Sequence, residues 1–330
     1  MIDDLDRQIV AALIRNGRAP FRLIAEVLGQ QERTVARRAN KLLASGNVRV
    51  QSFSSPTAVA PVDLYMLRVD AVPAKMDAVA TWLAGRGETH WISSLAGASE
   101  CIVELFLEPQ RVGSFLYEEL ARVEGVRDFS LEPVFDYYRT VSGWRPDILS
   151  NEQYERLSPS EAPELITRHT ELGMSPLDSQ NRILLELLRS NGRVTIDEMA
   201  TDLGVSKTTA SRRLDTLIAE GAIHVRAILD PGTIGYPVES LLTVQIAPGK
   251  VDGLGRYLAD LSTTRWAANV SGAVLVQSAN RNLSELRKVT ETIAAQEGVR
   301  DIKISLFAEI YKRSTVAYQK GKLPAQYFRG

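Results

Sequence analysis

The sequence predicts an α+β fold written twice: two winged helix-turn-helix units, each followed by a ferredoxin-like βαββαβ sandwich. Three observations carry this reading. Residues 16–46 and 191–221 align without a gap at an offset of 175, and each holds two short helical patterns joined by a glycine-containing turn. Each is followed by the order strand, helix, strand, strand, helix, strand. The segment Glu-Gly-Val-Arg-Asp recurs at 124–128 and 297–301, an offset of 173, so the second copy is two residues shorter somewhere after Gly97 and Gly272.

The elements follow in order. Over 2–15, Ile2, Leu5, Ile9, Val10 and Leu13 share one stripe, and Asp3, Asp4 and Asp6 sit where a helix dipole favours negative charge. Asn16-Gly17 is expected to stop this helix. A second helix covers 21–28, ended by Gly29, and a third 31–45, ended by Gly46. In the third, Val35, Ala39, Leu42 and Leu43 repeat at helical spacing and face a core. Arg33, Arg37, Asn40 and Lys41 centre on the opposite face, with Thr34 and Arg38 at its border. Residues 47–53 alternate as a strand, a wing or hinge. Strands are expected at 64–70, 88–95, 101–107 and 126–139, and helices at 74–85 and 110–123. The stretch 141–175, with Pro146, Pro159 and Pro163, reads as a linker containing a helical segment near 151–157.

From Leu177 the plan restarts. Helices are expected at 178–190, 196–203 and 207–220, with Ser206 as N-cap of the last, and a wing strand at 222–229. Strand segments at 240–246, 265–270, 273–279 and 299–312 and helices at 251–261 and 283–296 complete the second sandwich. The domains are therefore 1–55, 60–141, a linker over 142–175, 176–230 and 236–316.

Composition narrows the class. Hydrophobic content of 45% and charged content of 24% afford a sizeable core and argue against bulk disorder. The net charge of −1 leaves nucleic acid open as a partner, because phosphates respond to local patches. A single cysteine, Cys101, excludes an internal disulfide and an all-cysteine metal site, and suits a reducing cytoplasmic setting. The acidic, amphipathic first ten residues do not read as a signal peptide, and no apolar run approaches 18 residues, so no membrane partner is expected. His90, His169 and His224 form no spaced metal pair, and no phosphate-binding or nucleophile-elbow motif occurs, so no metal, cofactor or catalytic residue is expected.

A leading Ile/Leu-Asp helix, Asn-Gly-Arg, a helix-turn-helix with an Arg-Arg pair, a wing strand and then βαββαβ resemble the Lrp/AsnC family of prokaryotic transcription regulators. Two full units of that family stand in one chain. The resemblance implies that the sandwiches are of the RAM (ACT-like) kind through which family members dimerise. It further implies an intramolecular pseudo-dimer, with double-stranded DNA as partner and an amino acid or small metabolite as effector; whether the pseudo-dimer pairs further through its sheet edges into a homo-oligomer is left open.

The groove-facing residues expected from this are Arg33, Thr34, Arg37, Arg38 and Lys41 in the first copy, and Lys207, Thr208, Thr209, Ser211, Arg212 and Arg213 in the second. Arg38 and Arg213 lie nearest the core stripe, where phosphate contact and a structural ion pair are alternatives. The copies are unequal. Eight basic and two acidic residues fall between Arg15 and Arg49, but six and five between Arg189 and Arg226. An asymmetric operator follows as an expectation. The family's effector position corresponds to Gly97, Ser99 and Glu100, with a tight turn at Gly97 as the alternative; the second copy lacks the acid. Sirohaem decarboxylases resemble the same architecture and use histidines in the βαββαβ part. That enzyme reading would involve His90, whose counterpart is Arg265. An architectural DNA-binding protein without effector is a third reading.

Overall fold

The computed structural model describes residues 2–54, 61–158, 178–318 and 323. The first head holds α1 (Asp4–Arg15), α2 (Phe21–Leu28), α3 (Glu32–Ala44) and β1 (Val48–Ser54). Asp3 N-caps α1 in a reciprocal capping box with Asp6, so the helix begins two residues later than its apolar stripe. The body then continues with β2 (Asp63–Ala71), α4 (Met76–Ala84), β3 (Thr89–Leu95), β4 (Glu100–Leu107) and β5 (Val126–Arg139). Where one helix was expected over 110–123, the chain instead makes a 3-10 turn, a short α5 (Val112–Ser114), a π turn over Phe115–Glu119 and a last 3-10 turn. Phe115 and Leu120, five apart, are both fully buried; a regular α-helix would rotate them apart, and the wider π turn brings them back to one side.

The linker has the helical segment expected near 151–157, but it packs against the heads instead of running free. It carries α6 (Asn151–Arg156), and Trp144, Leu149, Tyr154 and Leu157 are buried in the core of the heads. Arg156 pairs with Glu26 at 2.9 Å and Gln153 Nε2 donates to the Val27 carbonyl, which ties α6 to α2. Pro159, Pro163 and the rest of that stretch up to 177, including Leu177, lie outside the described residues.

The second head holds α7 (Ser179–Ser190), α8 (Ile196–Leu203), α9 (Lys207–Ala219) and β6 (Ile223–Leu229). The second sandwich holds β7 (Val238–Ile246), α10 (Val251–Asp260), β8 (Thr264–Val270), β9 (Ala273–Asn280), α11 (Leu283–Ala294), β10 (Val299–Arg313) and a short β11 (Val316–Ala317).

The wing strands do not form separate wings. β1 pairs antiparallel with β6 over seven residues, with Gln51 opposite Arg226 at the centre, so the ladder joins the two heads. The sheets are exchanged as well. β5 pairs with β2 up to Pro133, then from Val134 pairs with β8. The handover falls at a proline, which has no N–H to give the β2 ladder. β10 likewise pairs with β7 up to Leu306 and with β3 from Phe307. The eight strands from β2 to β10 of the two sandwiches therefore close on themselves. The ring is closed at the handovers, but β5 before Pro133 pairs with β2 alone, so its other side remains an edge.

Alternation places the core. Leu64, Met66, Trp91, Ile102 and Phe106 of the first sheet meet Leu241, Trp266, Ala268 and Leu275 of the second in a core between the sheets. The opposite strand faces pack under the helices in two further cores.

Candidate nucleic-acid interface

Each head ends its second helix on a glycine in the left-handed region, Gly29 at φ +63° and Gly204 at φ +64°, which makes the turn into the third helix. On α3, Val35, Ala39, Leu42 and Leu43 are buried as their spacing requires. Arg33, Arg37, Asn40 and Lys41 are exposed, and Thr34 is half-buried. On α9, Ser206 caps the helix by accepting from the Thr209 N–H, and Ala210, Leu214 and Leu217 are buried. Thr208 and Arg212 are exposed, while Thr209 and Ser211 are half-buried.

For Arg38 and Arg213 the geometry is that of a structural clamp. Arg38 Nη1 donates to Asp3 Oδ2 at 2.6 Å and to Asp6 Oδ1 at 2.9 Å. Arg213 Nη1 donates to Asp178 Oδ2 at 2.8 Å and to Asn181 Oδ1 at 3.0 Å. Each guanidinium holds the start of its head's first helix against the third. The Asp3 carboxyl is held below the usual carboxylate range, first by the Asp6 N–H it caps and then by Arg38.

The remaining charges sharpen the inequality between heads. Of the eight basic residues in the first window, Arg22, Arg33, Arg37 and Lys41 are exposed and make no hydrogen bond or ion pair among the described residues. In the second window only Arg212 does so, because Lys207 Nζ pairs with Asp197 Oδ2 at 2.7 Å. Ser211 Oγ faces Asp215 at 3.4 Å.

Two pairs of residues in the heads carry a role the sequence reading missed. Arg18 Nη1 crosses to the carbonyls of Gly192 and Val194, and Arg193 Nη1 crosses back to those of Gly17 and Ala19. Gly17 N–H donates to the Val225 carbonyl, and Gly192 N–H to that of Val50, both at 2.8 Å. Gly17 is not left-handed; the extended residue ending α1 is Asn16. Its glycine is needed because a Cβ would stand 2.7 Å from Val50 Cγ1 and 2.9 Å from the Arg226 backbone. The repeated Asn-Gly-Arg was the available signal: it marks where the heads lock together, where the reading above took it as a helix stop.

The expected effector residues are brought together in the β3–β4 turn. Gly97 adopts φ +79° and Gly272 in the second copy φ +84°, as tight turns require. The Ser99 carbonyl accepts from the Ala71 N–H. Glu100 is already held by Arg68 Nη1 at 2.6 Å, and Arg68 Nη2 reaches Thr243 Oγ1 of the second copy at 3.3 Å. His90 lies on β3 with its ring 4.4 Å from that of Phe106. Burial, with Lys312 nearby, pushes it down to about 3, so it is a neutral imidazole. Burial pushes the Cys101 thiol up to about 12, where it is no nucleophile. Among the described residues no group of three or more His, Cys, Asp or Glu is placed to hold a metal ion, and no helix is long and apolar enough to cross a membrane.

Comparison with known proteins places this geometry. The AsnC-type helix-turn-helix domain matches residues 2–43, and a winged helix-turn-helix DNA-binding domain matches residues 177–224. An uncharacterized HTH-type transcriptional regulator of Pyrococcus furiosus is 30% identical over 129 residues, 38% of this chain and 87% of that one. The chain belongs to the Lrp/AsnC family. A similar regulator of Pyrococcus abyssi is 29% identical over 140 residues, covering 41% of this chain and 89% of its own length. Each such relative spans about one unit, so this Lrp/AsnC protein is a tandem of two units and a DNA-binding transcriptional regulator. Along its whole length it is similar in fold to a solved structure of the siroheme decarboxylase NirDL: TM-score 0.61, 13% identity, 99% of this chain and 94% of that one.

Proposed function

We propose that this regulator reads an asymmetric operator with two unlike half-sites, the first head supplying most of the phosphate affinity. The observation that carries the reading is the imbalance of outward cations unpaired among the described residues, four in the first head's window against Arg212 in the second. Arg33, Thr34, Arg37 and Lys41 of α3, and Lys207, Thr208, Thr209, Ser211 and Arg212 of α9, are the residues assigned to the groove. Arg38 and Arg213 are assigned to folding of the heads. The outward face of α3 meets the bases, where a guanidinium can bond bidentately to guanine. Footprinting on a selected operator tests this: Arg37→Ala and Arg212→Ala should each lose protection of a different half-site. Loss of the same element in both variants would refute it. A purely architectural protein would instead fail to prefer its site over unrelated DNA by at least about 10³.

The effector in this reading is an amino acid or related small metabolite, and the compartment is the cytoplasm. The 96–100 turn offers the backbone around Gly97 and Ser99 for a carboxylate and Glu100 for an ammonium. Because Arg68 holds Glu100, the ammonium would enter by exchange with that guanidinium. Calorimetric titration of amino acids into the parent and Glu100→Ala distinguishes this from a plain turn: heat with the parent alone supports the site, and no heat with the parent removes it.

A second reading is favoured by one observation, the full-length fold likeness to a siroheme decarboxylase. It places tetrapyrrole chemistry in the sandwich body. Adding sirohaem and following its visible absorption decides: unchanged spectra at micromolar protein dispose of it.

A further inference from the structure

Where the head-joining ladder meets the closed strands, three arginines are buried together. Arg226 comes from β6, Arg265 from β8 and Arg313 from the end of β10, and their exposures are only 6%, 5% and 3%. One buried carboxylate serves them. Glu239 on β7 accepts from Arg265 Nη1 at 2.9 Å and from both Nη atoms of Arg313. Among the described residues Arg226 has no carboxylate; its Nη1 donates to the Ala227 carbonyl and its Nη2 to Ser314 Oγ at 2.8 Å. The Nε atoms of all three are buried without a hydrogen-bond partner among the described residues. Asp230 stands exposed nearby and is committed to the Gly232 N–H. Even with Asp230 counted, three guanidiniums face two carboxylates among the described residues, and a guanidinium stays charged in a protein. A buried charge that is neither paired nor hydrated is costly, so the surplus calls for a counter-charge.

The shape beside these groups limits what that counter-charge can be. Trp144, Arg226, Ile228, Arg265, Arg313 and Ser314 line a cavity of about 10 Å³, room for one water-sized sphere. The Trp144 ring lies 4.9 Å from the Arg265 guanidinium and the Phe53 ring 4.2 Å from that of Arg226, which closes those faces. The site exists only because the copies diverged. At the positions corresponding to Arg226, Arg265, Glu239 and Arg313, the first copy has Gln51, His90, Leu64 and Thr140, none of them cationic.

We propose that this pocket binds one compact inorganic anion of halide size, which completes the Arg226–Arg265–Arg313 cluster and ties the head ladder to the strand body. The elements it would join are β6 of the heads, β7, β8 and β10 of the body, and the 141–144 turn. Anion occupancy therefore sets how firmly the two heads are held relative to the sandwich.

The test uses the full chain. Sodium chloride replaces sodium gluconate at constant ionic strength and pH while the melting temperature is followed; gluconate is too large for the pocket. Chloride should raise the melting temperature of the parent, by roughly 2 °C per tenfold excess over its dissociation constant. Arg226→Gln, which installs the residue of the first copy, should abolish the rise, and so should Arg265→His if the first variant folds poorly. Crystals soaked in sodium bromide should show anomalous scattering beside Arg226 and Arg313. An unchanged parent melting temperature, a chloride effect that survives in both variants, or bromide absent from the pocket would each overturn the proposal.

Discussion

Replacing Gly17 by alanine separates two accounts of the Asn-Gly-Arg motif. As a helix stop, Gly17 would tolerate alanine at little cost, because its backbone is not in the left-handed region. As the contact point of the opposing wing, it would not. The new Cβ would stand 2.7 Å from Val50 Cγ1 and 2.9 Å from Arg226 Cα and N, against an optimum of about 3.5–4.0 Å. Two of those three atoms are backbone in the ladder and cannot rotate away. Overpacking of this kind costs about 1–3 kcal/mol. Backing the loop away also strains the 2.8 Å bond from Gly17 N–H to the Val225 carbonyl, worth about 1 kcal/mol. Together the loss should be about 2–4 kcal/mol. Urea unfolding measures it, with Gly87→Ala as control, since a Cβ there meets nothing within 4 Å. The control should be neutral or stabilised by up to about 1 kcal/mol. If Gly17→Ala unfolds at the same urea concentration as the control, the contact argument fails.

Other consequences can be measured directly. Replacing Arg33, Arg37 and Lys41 together by alanine should reduce the slope of log affinity against log salt by up to about 2.7, whereas Arg212→Ala should reduce it by about 0.9. Fluorescence anisotropy on a non-specific duplex reads both, and equal reductions would contradict the charge imbalance. Arg38→Ala should lower the melting temperature and leave the salt slope unchanged, because its guanidinium is already bound to Asp3 and Asp6; a slope change like that of Arg37→Ala would return it to the DNA-contacting set. Glu104 stands between the sheets, accepts from Tyr137 Oη and Trp266 Nε1, and has no cation partner among the described residues. Burial pushes it up to about 7. Its folded form therefore holds a proton that the unfolded chain releases near 4.5, so its contribution is full below that pH and is lost as pH rises through 7. Relative to the parent, Glu104→Gln should gain stability from pH 5 to 8, by up to roughly 3 kcal/mol. The difference between the two proteins is the quantity to follow, since buried His90 and His224, lowered from 6.5, contribute with the opposite sign up to that pH. A flat difference across that range would refute the assignment.

Much of this protein was written in local pattern. Helical spacing in α3 fixed which side of that helix is core and which is free, because Val35, Ala39, Leu42 and Leu43 recur at the period of one turn. The left-handed glycines after α2 and α8 and the charge difference between the heads were equally legible, since each depends only on residues close in sequence, and the duplication was legible because the same pattern recurs along the chain. The partners of the strands were not. A βαββαβ order is compatible with two open sheets, and only the tertiary structure decides that β5 and β10 hand over to the opposite sheet and close the ring. Arg38 and Arg37 are neighbours with the same chemistry; their separation into clamp and free cation depends on Asp3 and Asp6, more than thirty residues away. The surplus charge of Arg226, Arg265 and Arg313 was likewise invisible in a net charge of −1. Periodicity reports which way a side chain points, whereas a charge's role is set by what the fold brings within a few ångströms of it, and β6, β8 and β10 are brought together from positions tens of residues apart.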